Sequence, residues 1–382
     1  MRLVLIAVVL AAGSSRAQTM IDPDRLNASL RSFDPAPGEK VLKCDVSPLR
    51  PTFTFSFRFQ TGYVVNVPMK QYLGRGNSWA VFTRVTPESG GKPAYMLDRL
   101  RIPEVPKTKA TADFGGMYLV GEGRYKVDWK LVDNAGRVCR KQWNVQAKRS
   151  GNERLVESAM PPNTVSEISL RALRSTVVAP TDTPPFRLTI LLHVAPLSPR
   201  RTRIGGRDRL ILTGALSALL ERLPTSSIRM VAFSLDQQKE MFRQENFSLG
   251  AMDQVSRAMN ETELGTVDFK VLANQRGHTE MMAQLMNTEL NDPNPSDVVL
   301  VFGPPSRFYD KLPQGSVEKP TSATAPRFLF LRYGPSLRMQ PTLSDTIGLA
   351  MSKVRGKTVN IFTPGDFAKA IDLVERRSVG GN

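Results

Sequence analysis

Residues 188–209, LTILLHVAPLSPRRTRIGGRDR, decide how the second half of the chain reads. Leu188 to Val194 is an apolar run of strand length with little alternation, the pattern of a strand covered on both faces. Directly after it come Arg200, Arg201, Arg203, Arg207 and Arg209 against a single acid, Asp208. A helix follows, with Leu212, Leu216, Leu219, Leu220 and Leu223 on one side, and then IRMVAFS as a second strand. Further on, helices are predicted around Met252 to Met259 and from about Thr279 to Leu290, followed by the strands DVVLVFG and RFLFLRYG. Two last helices, Ser344 to Val354 and Asp366 to Val374, flank the short strand TVNIF, and Phe367, Ala370, Ile371 and Val374 keep the i, i+3, i+4, i+7 spacing of a buried stripe. Strands alternating with helices imply a mostly parallel sheet with helices on both faces, a doubly wound α/β domain over residues 186–376.

The first half carries the other periodicity. Phe53, Phe55, Phe57 and Phe59 alternate with polar residues, which predicts one strand with a single buried face, and Trp79, Val81, Thr83 and Val85 repeat the pattern. In GRYKVDWKLVDNAGRVCRKQWNV, Tyr125, Val127, Trp129 and Leu131 face one way and Asp133 to Gly136 supply the turn of a hairpin. Short strands with turn signals between them and no convincing helix predict a β-sandwich over residues 38–148, which resembles an immunoglobulin-like domain in architecture. Between the halves, residues 149–185 carry Pro161, Pro162, Pro180, Pro184 and Pro185 and read as a stiff linker with one apolar segment, Val165 to Leu170.

The start of the chain, MRLVLIAVVLAAGSSRAQ, has a basic residue, an apolar run from Leu3 to Ala12, and Ser15 and Ala17 where a signal peptidase reads small side chains. Residues 1–17 are therefore expected to be a cleaved leader and the mature chain to begin near Gln18. The run is too short to span a bilayer, which takes about 20 apolar residues, and no later stretch supplies one. Export puts the protein in the periplasm, at the cell surface or in the medium. It also makes Cys44 and Cys139, the two cysteines in 382 residues, a natural disulfide. Closing so long a loop would contribute roughly 4 to 5 kcal/mol by chain entropy, less any native strain.

The formal net charge is +17, or +15 once Arg2 and Arg16 leave with the leader. Such an excess favours a protein or surface partner that is acidic, and export argues against nucleic acid. The cluster from Arg200 to Arg209 is the local concentration of that charge. Its alternative reading is a solvated basic loop in which Asp208 caps the next helix.

The order LTILLHV, long helix, IRMVAFS, GHTEMMAQL, DVVLVFGPP and KTVNIFTPGDFAKAIDLV resembles a von Willebrand factor A domain, in particular the A-like domains of exported bacterial proteins. In that family, the resemblance implies, a metal-ion-dependent adhesion site lies on the C-terminal edge of the sheet: a D-x-S-x-S pattern after the first strand, a threonine on a second loop and an aspartate after the fourth strand. Hard Mg²⁺ takes near-octahedral oxygen coordination. Here the threonine matches Thr279, but the first aspartate falls at Ala195, the two serines at Leu197 and Pro199, and the last aspartate at about Pro304. One hydroxyl cannot hold magnesium, so no bound metal and no cofactor are expected. An arginine fork pairs with carboxylates directly. The expected partner-binding residues are therefore Arg200, Arg201, Arg203, Arg207, Arg209, His278 and Thr279.

The remaining chemistry is sparse. Two histidines, His193 and His278, lack Cys, Asp or Glu at ligand spacing and make a poor zinc site. Met281, Met282 and Met286 stand at helical spacing and read as core filler. There is no G-x-S-x-G, no G-x-x-x-x-G-K-[ST] and no G-x-G-x-x-G after a strand. The sequence thus reads as an exported, non-enzymatic interaction or adhesion module. The alternatives are a self-assembling structural subunit of an envelope or extracellular assembly and an enzyme with an unrecognised site.

Overall fold

The computed structural model describes residues 18–25, 33–168, 184–198, 201, 204–260, 273–318, 325–334 and 344–378. The expected leader lies outside them, as do Pro199, Arg200 and Arg203. The chain is mixed α/β and divides into two compact units. One takes residues 18–53, Arg58–Arg149 and 160–168; the other takes Thr54–Phe57, Ser150–Ala159 and the described residues after 183.

The first unit is all β. In chain order its strands are β1 (Thr19–Ile21), β2 (Lys40–Val41), β3 (Asp45–Phe53), β4 (Phe59–Pro68), β5 (Ser78–Pro87), β6 (Ala94–Arg101), β7 (Thr111–Val120), β8 (Gly123–Asp133), β9 (Arg137–Ala147) and β10 (Val165–Glu167). They form a six-stranded sheet, β1-β6-β5-β8-β9-β2, and a four-stranded sheet, β10-β7-β4-β3. Alternation decides which side chains meet between the sheets. Val81, Trp129 and Leu131 of one and Tyr63, Val65 and Val67 of the other fall in a single buried cluster. At its margin Cys44, just before β3, is disulfide-bonded to Cys139 of β9, with Cα atoms 6.1 Å apart at a sequence separation of 95. The β8–β9 hairpin turns where the composition places it, with Gly136 at φ +73°, a conformation that glycine adopts without a Cβ clash. In the stretch read as a linker, Val165–Glu167 pairs antiparallel with β7.

One strand expectation is corrected. Phe53, Phe55, Phe57 and Phe59 do not lie on one strand, because β3 ends at Phe53 and β4 begins at Phe59. Between them the chain turns: Phe57 N–H donates to the Thr54 carbonyl at 2.9 Å, and Phe57 takes φ +55°. Phe53 and Phe59 face each other across the hairpin, rings 5.0 Å apart. Phe55 and Phe57 belong to the second unit, where Phe55 meets Tyr333 edge-on at 4.5 Å and Phe57 stacks on Phe367 at 5.6 Å. Period two is necessary for a half-buried strand, but a turn with a second apolar environment satisfies it as well.

The second unit contains β11 (Phe186–His193), α1 (Gly206–Arg222), β12 (Thr225–Ser234), β13 (Lys239–Gln244), α2 (Met252–Asn260), α3 (Gly277–Leu290), β14 (Val298–Gly303), β15 (Arg327–Tyr333), α4 (Thr346–Lys353), β16 (Lys357–Ile361) and α5 (Pro364–Ser378). The sheet order is β13-β12-β11-β14-β15-β16, parallel throughout except for β13, which returns antiparallel to β12. Both faces are covered, which is why the central strands show no alternation. On one face Leu191, Val231, Phe233, Val299, Val301 and Phe330 pack with Met282 and Met286 of α3 and Ile347 and Met351 of α4. On the other, Ile190, Leu192, Leu300 and Phe302 are fully buried, and Phe302 stacks on Phe367 of α5 at 5.9 Å. β13 is an addition to the sequence reading: KEMFRQ sits on the sheet edge, half-exposed and charged, so it lacks the apolar run that marks the inner strands.

Candidate functional site at the C-terminal edge of the second sheet

Strand order reverses between β11 and β14, and in doubly wound sheets the loops outside the strand C-termini at such a point form the natural ligand crevice. His193 is the last residue of β11, and its Nδ1–H donates to the carbonyl of Pro304, just past β14, at 2.8 Å. The imidazole is fully buried, which pushes its pKa down; Asp236 and Asp345 oppose that shift only in part. The neutral ring therefore offers the Nε2 lone pair, which finds no hydrogen-bond partner among the described residues. Gly303 makes the close approach of β11 and β14 feasible: at φ +144°, a Cβ there would lie 2.5 Å from the His193 carbonyl oxygen.

The loop after β14 is held from below by Asp345, which precedes α4. One carboxylate oxygen accepts the Gly348 N–H at 3.0 Å as a helix N-cap, and the other accepts the Ser306 N–H. Burial raises the pKa of this carboxyl, while the two backbone donors act against the rise. Arg307 reaches Asp236, beyond β12, at 3.5 Å. A second pair closes the side nearer α3: His278 Nε2 lies 2.9 Å from Asp310 Oδ2, and its ring stacks on Phe308 at 4.0 Å.

The residues named from the sequence fall as follows. Ala195 and Pro304 are buried and Leu197 is half-buried, so no side-chain oxygen comes from these three positions. Thr279 is buried in the first turn of α3, where its hydroxyl donates to the Arg276 carbonyl at 2.8 Å. His278 is likewise buried, with only 4% of its side chain exposed. Among the described residues no group of three His, Cys, Asp or Glu side chains is arranged to hold a metal ion. Of the arginines, Arg201 and Arg207 are exposed and Arg209 is half-buried; Arg200 and Arg203 lie outside the described residues. Arg207 is close enough to the end of β15 for its charge to favour ionisation of Tyr333, although burial holds that phenol well above its ordinary value. Asp208 accepts a long hydrogen bond from Gly205 N–H, 3.4 Å, at the start of α1.

Asp236, Ser306, Arg307 and Asp345 complete this edge without having been singled out. Only Asp345 had a local signal, an acid ahead of an apolar helical run. The other three are brought in by loops whose neighbours are distant in sequence. Chemically, the edge can donate charge-assisted hydrogen bonds from exposed guanidinium groups, and it presents polar side chains from the loops after β11, β12 and β14.

Neither a family model nor a curated protein matches the chain. Among solved structures it is similar to a conjugate transposon protein from Bacteroides vulgatus, at 14% identity over 31% of this chain and 93% of that one, with a TM-score of 0.17. It is also similar to a glycosyl hydrolase family 2 member from Bacteroides cellulosilyticus, at 9% identity over 82% of this chain and 43% of that one, TM-score 0.21. A third is a beta-glucuronidase from Bacteroides uniformis, at 7% identity over 76% and 36%, TM-score 0.19. The chain thus spans less than half the length of either hydrolase. Likenesses this distant carry no argument about fold family or activity.

Proposed function

We infer that this is an exported, non-enzymatic interaction protein whose second unit is a von Willebrand factor A-like domain without the family's metal site, joined to an immunoglobulin-like first unit. The observation that carries the reading is the sheet order β13-β12-β11-β14-β15-β16 with an antiparallel β13, taken together with Ala195, Leu197, Pro199 and Pro304 at four of the five positions where metal-binding relatives need oxygen. The disulfide supports export, since such bonds persist in oxidising compartments. Among the described residues, no helix is long and apolar enough to cross a membrane.

Contact with an acidic partner then runs through the arginine cluster of the loop ahead of α1 and the first turn of that helix, which takes in Arg207 and Arg209. Arg201 and Arg207 stand in solvent, and a guanidinium fork engages carboxylates without a bridging cation. The test is capture of envelope proteins on the immobilised chain, compared with a chain in which Arg200, Arg201, Arg203, Arg207 and Arg209 are all glutamine. Recovery of an acidic partner that falls with salt and with the substitution supports the reading; equal capture by both chains sinks it. Titration with Mn²⁺ tests the metal claim separately, because a cation bound only by the folded state raises the melting temperature. No shift is expected.

A further inference from the structure

The outer face of the six-stranded sheet departs from the pattern of a solvated sheet face. Register places Phe82 opposite Lys130 and Lys130 opposite Arg140, and on the next rung on that face Arg84 opposite Asp128 and Asp128 opposite Gln142. Period two turns all six side chains outward, away from Val81, Trp129 and Leu131. Lys130 is nonetheless only 3% exposed and Asp128 only 5%. The segment Phe33–Glu39, ahead of β2, packs onto this face against Arg84, Lys130 and Arg140. The Phe33 ring lies 4.7 Å from the Arg84 guanidinium and 5.0 Å from Lys130 Nζ, which is also 5.2 Å from the ring of Phe82. Arg140 holds the segment at both ends: Nη1 donates to the Phe33 carbonyl at 3.0 Å, and the rest of the fork takes the Glu39 carboxylate through both its oxygens, Nε to Oε1 at 2.9 Å. Between these anchors Pro35 to Gly38 are exposed and make a turn closed by Glu39 N–H on the Ala36 carbonyl, with Gly38 at φ +74°.

We propose that this furrow is a docking site for an acidic segment of a partner protein, one that presents an aromatic ring and a carboxylate, and that residues 33–39 occupy it as a displaceable strap. The strap itself displays the recognition chemistry: a ring set between two cations and a carboxylate on a bidentate arginine. With the strap lifted, Arg140 loses its Glu39 carboxylate, while Arg84 keeps Asp128 at 2.9 Å. Burial pushes the Lys130 ammonium down to about 8, with the Arg140 charge adding to the shift and Glu39 countering it. The chain's net charge of +17 selects acidic competitors. The proposal concerns the first unit and stands apart from the arginine loop of the second.

The test uses the full chain with its strap disabled, Phe33→Ala with Glu39→Gln, and a labelled synthetic peptide of residues 33–39, FDPAPGE, as probe. Fluorescence anisotropy is expected to show the peptide binding the double variant at least tenfold tighter than the wild type, whose furrow is filled. Adding Arg140→Gln should abolish that binding, as should exchanging the peptide's Phe for Ala and Glu for Gln. A double variant with an unchanged melting curve that ignores the peptide overturns the proposal. If the variant fails to fold, hydrogen exchange on the wild type decides: the amides of Ala36 and Glu39 should lose protection as salt rises from 0.05 to 0.5 M (about a threefold shorter Debye length) while β8 and β9 keep theirs, and uniform protection overturns it. Sedimentation of the wild type separates a partner's segment from strap exchange between copies. A monomer at all concentrations is expected, and a concentration-dependent dimer overturns the assignment to a partner.

Discussion

The arginine cluster at the start of α1 and the outer face of the β5–β8–β9 sheet are both rich in cations, yet the structure treats them in opposite ways. Arg201 and Arg207 stand in solvent, whereas Lys130 is buried and Arg84 and Arg140 keep only 28% and 21% of their side chains exposed, each bound to a carboxylate. An exposed guanidinium costs the fold little and leaves its full hydrogen-bonding capacity to a partner. A covered one is part of the fold, and removing it leaves buried charge behind. Formal charge is the same in both places; desolvation separates them.

That contrast can be sharpened by substitutions of decreasing effect. Loss of the staple beneath the covered face is expected to be the largest: Cys44→Ala with Cys139→Ala should lower the stability of the first unit by about 2–5 kcal/mol, read as a lower denaturant midpoint. In the second unit, Asp345→Ala strips the acceptor from the backbone N–H groups of Ser306 and Gly348 at once. It should cost about 1–3 kcal/mol, and loss of protection at both amides by hydrogen exchange would assign the cause. Lys130→Met addresses pH. Because the folded pKa, about 8, lies below the ordinary value of 10.5, the folded chain binds fewer protons between those values, and this group makes stability rise with pH across that window. The penalty for burying the charge is present in full below about 8. The methionine variant should lose that slope, and an unchanged pH profile would show that the ammonium is not desolvated. Arg201→Gln with Arg207→Gln should change stability least, within about ±0.5 kcal/mol, while weakening salt-sensitive capture of an acidic partner. A large drop in melting temperature instead would place these arginines with the covered class.

Much of the architecture was legible because it rests on periodicity. Leu188 to His193, Val298 to Gly303 and Phe328 to Tyr333 are buried on both faces and mostly apolar, and Tyr125 to Leu131 alternates because one face looks inward. Local pattern failed where the environment was not local. Phe55 and Phe57 kept the rhythm of a strand while serving a turn, and β13 kept none because it lies on an edge. The candidate site was legible in outline only. The arginine cluster could be named from composition and Thr279 from the family resemblance, but Thr279 proves to be buried and bonded to the residue that precedes its own helix. The polar residues that line the edge, Asp236, Ser306 and Arg307, come from loops that no motif links.

By itself the sequence determined the alternation of strands and helices in one half and of inward and outward side chains in the other, the pair of cysteines available to cross-link, and the absence of side-chain oxygen donors at Ala195, Leu197, Pro199 and Pro304. Each of these depends on residue identity and spacing along a few turns or rungs. Only the tertiary structure decided which cations are covered, which face Phe33 and Glu39 lie on, and which acid holds the loop after β14. Those outcomes depend on dielectric environment and on partners 30 to more than 100 residues away, as in Asp345 with Ser306 and Arg140 with Glu39, and no local pattern encodes such distances.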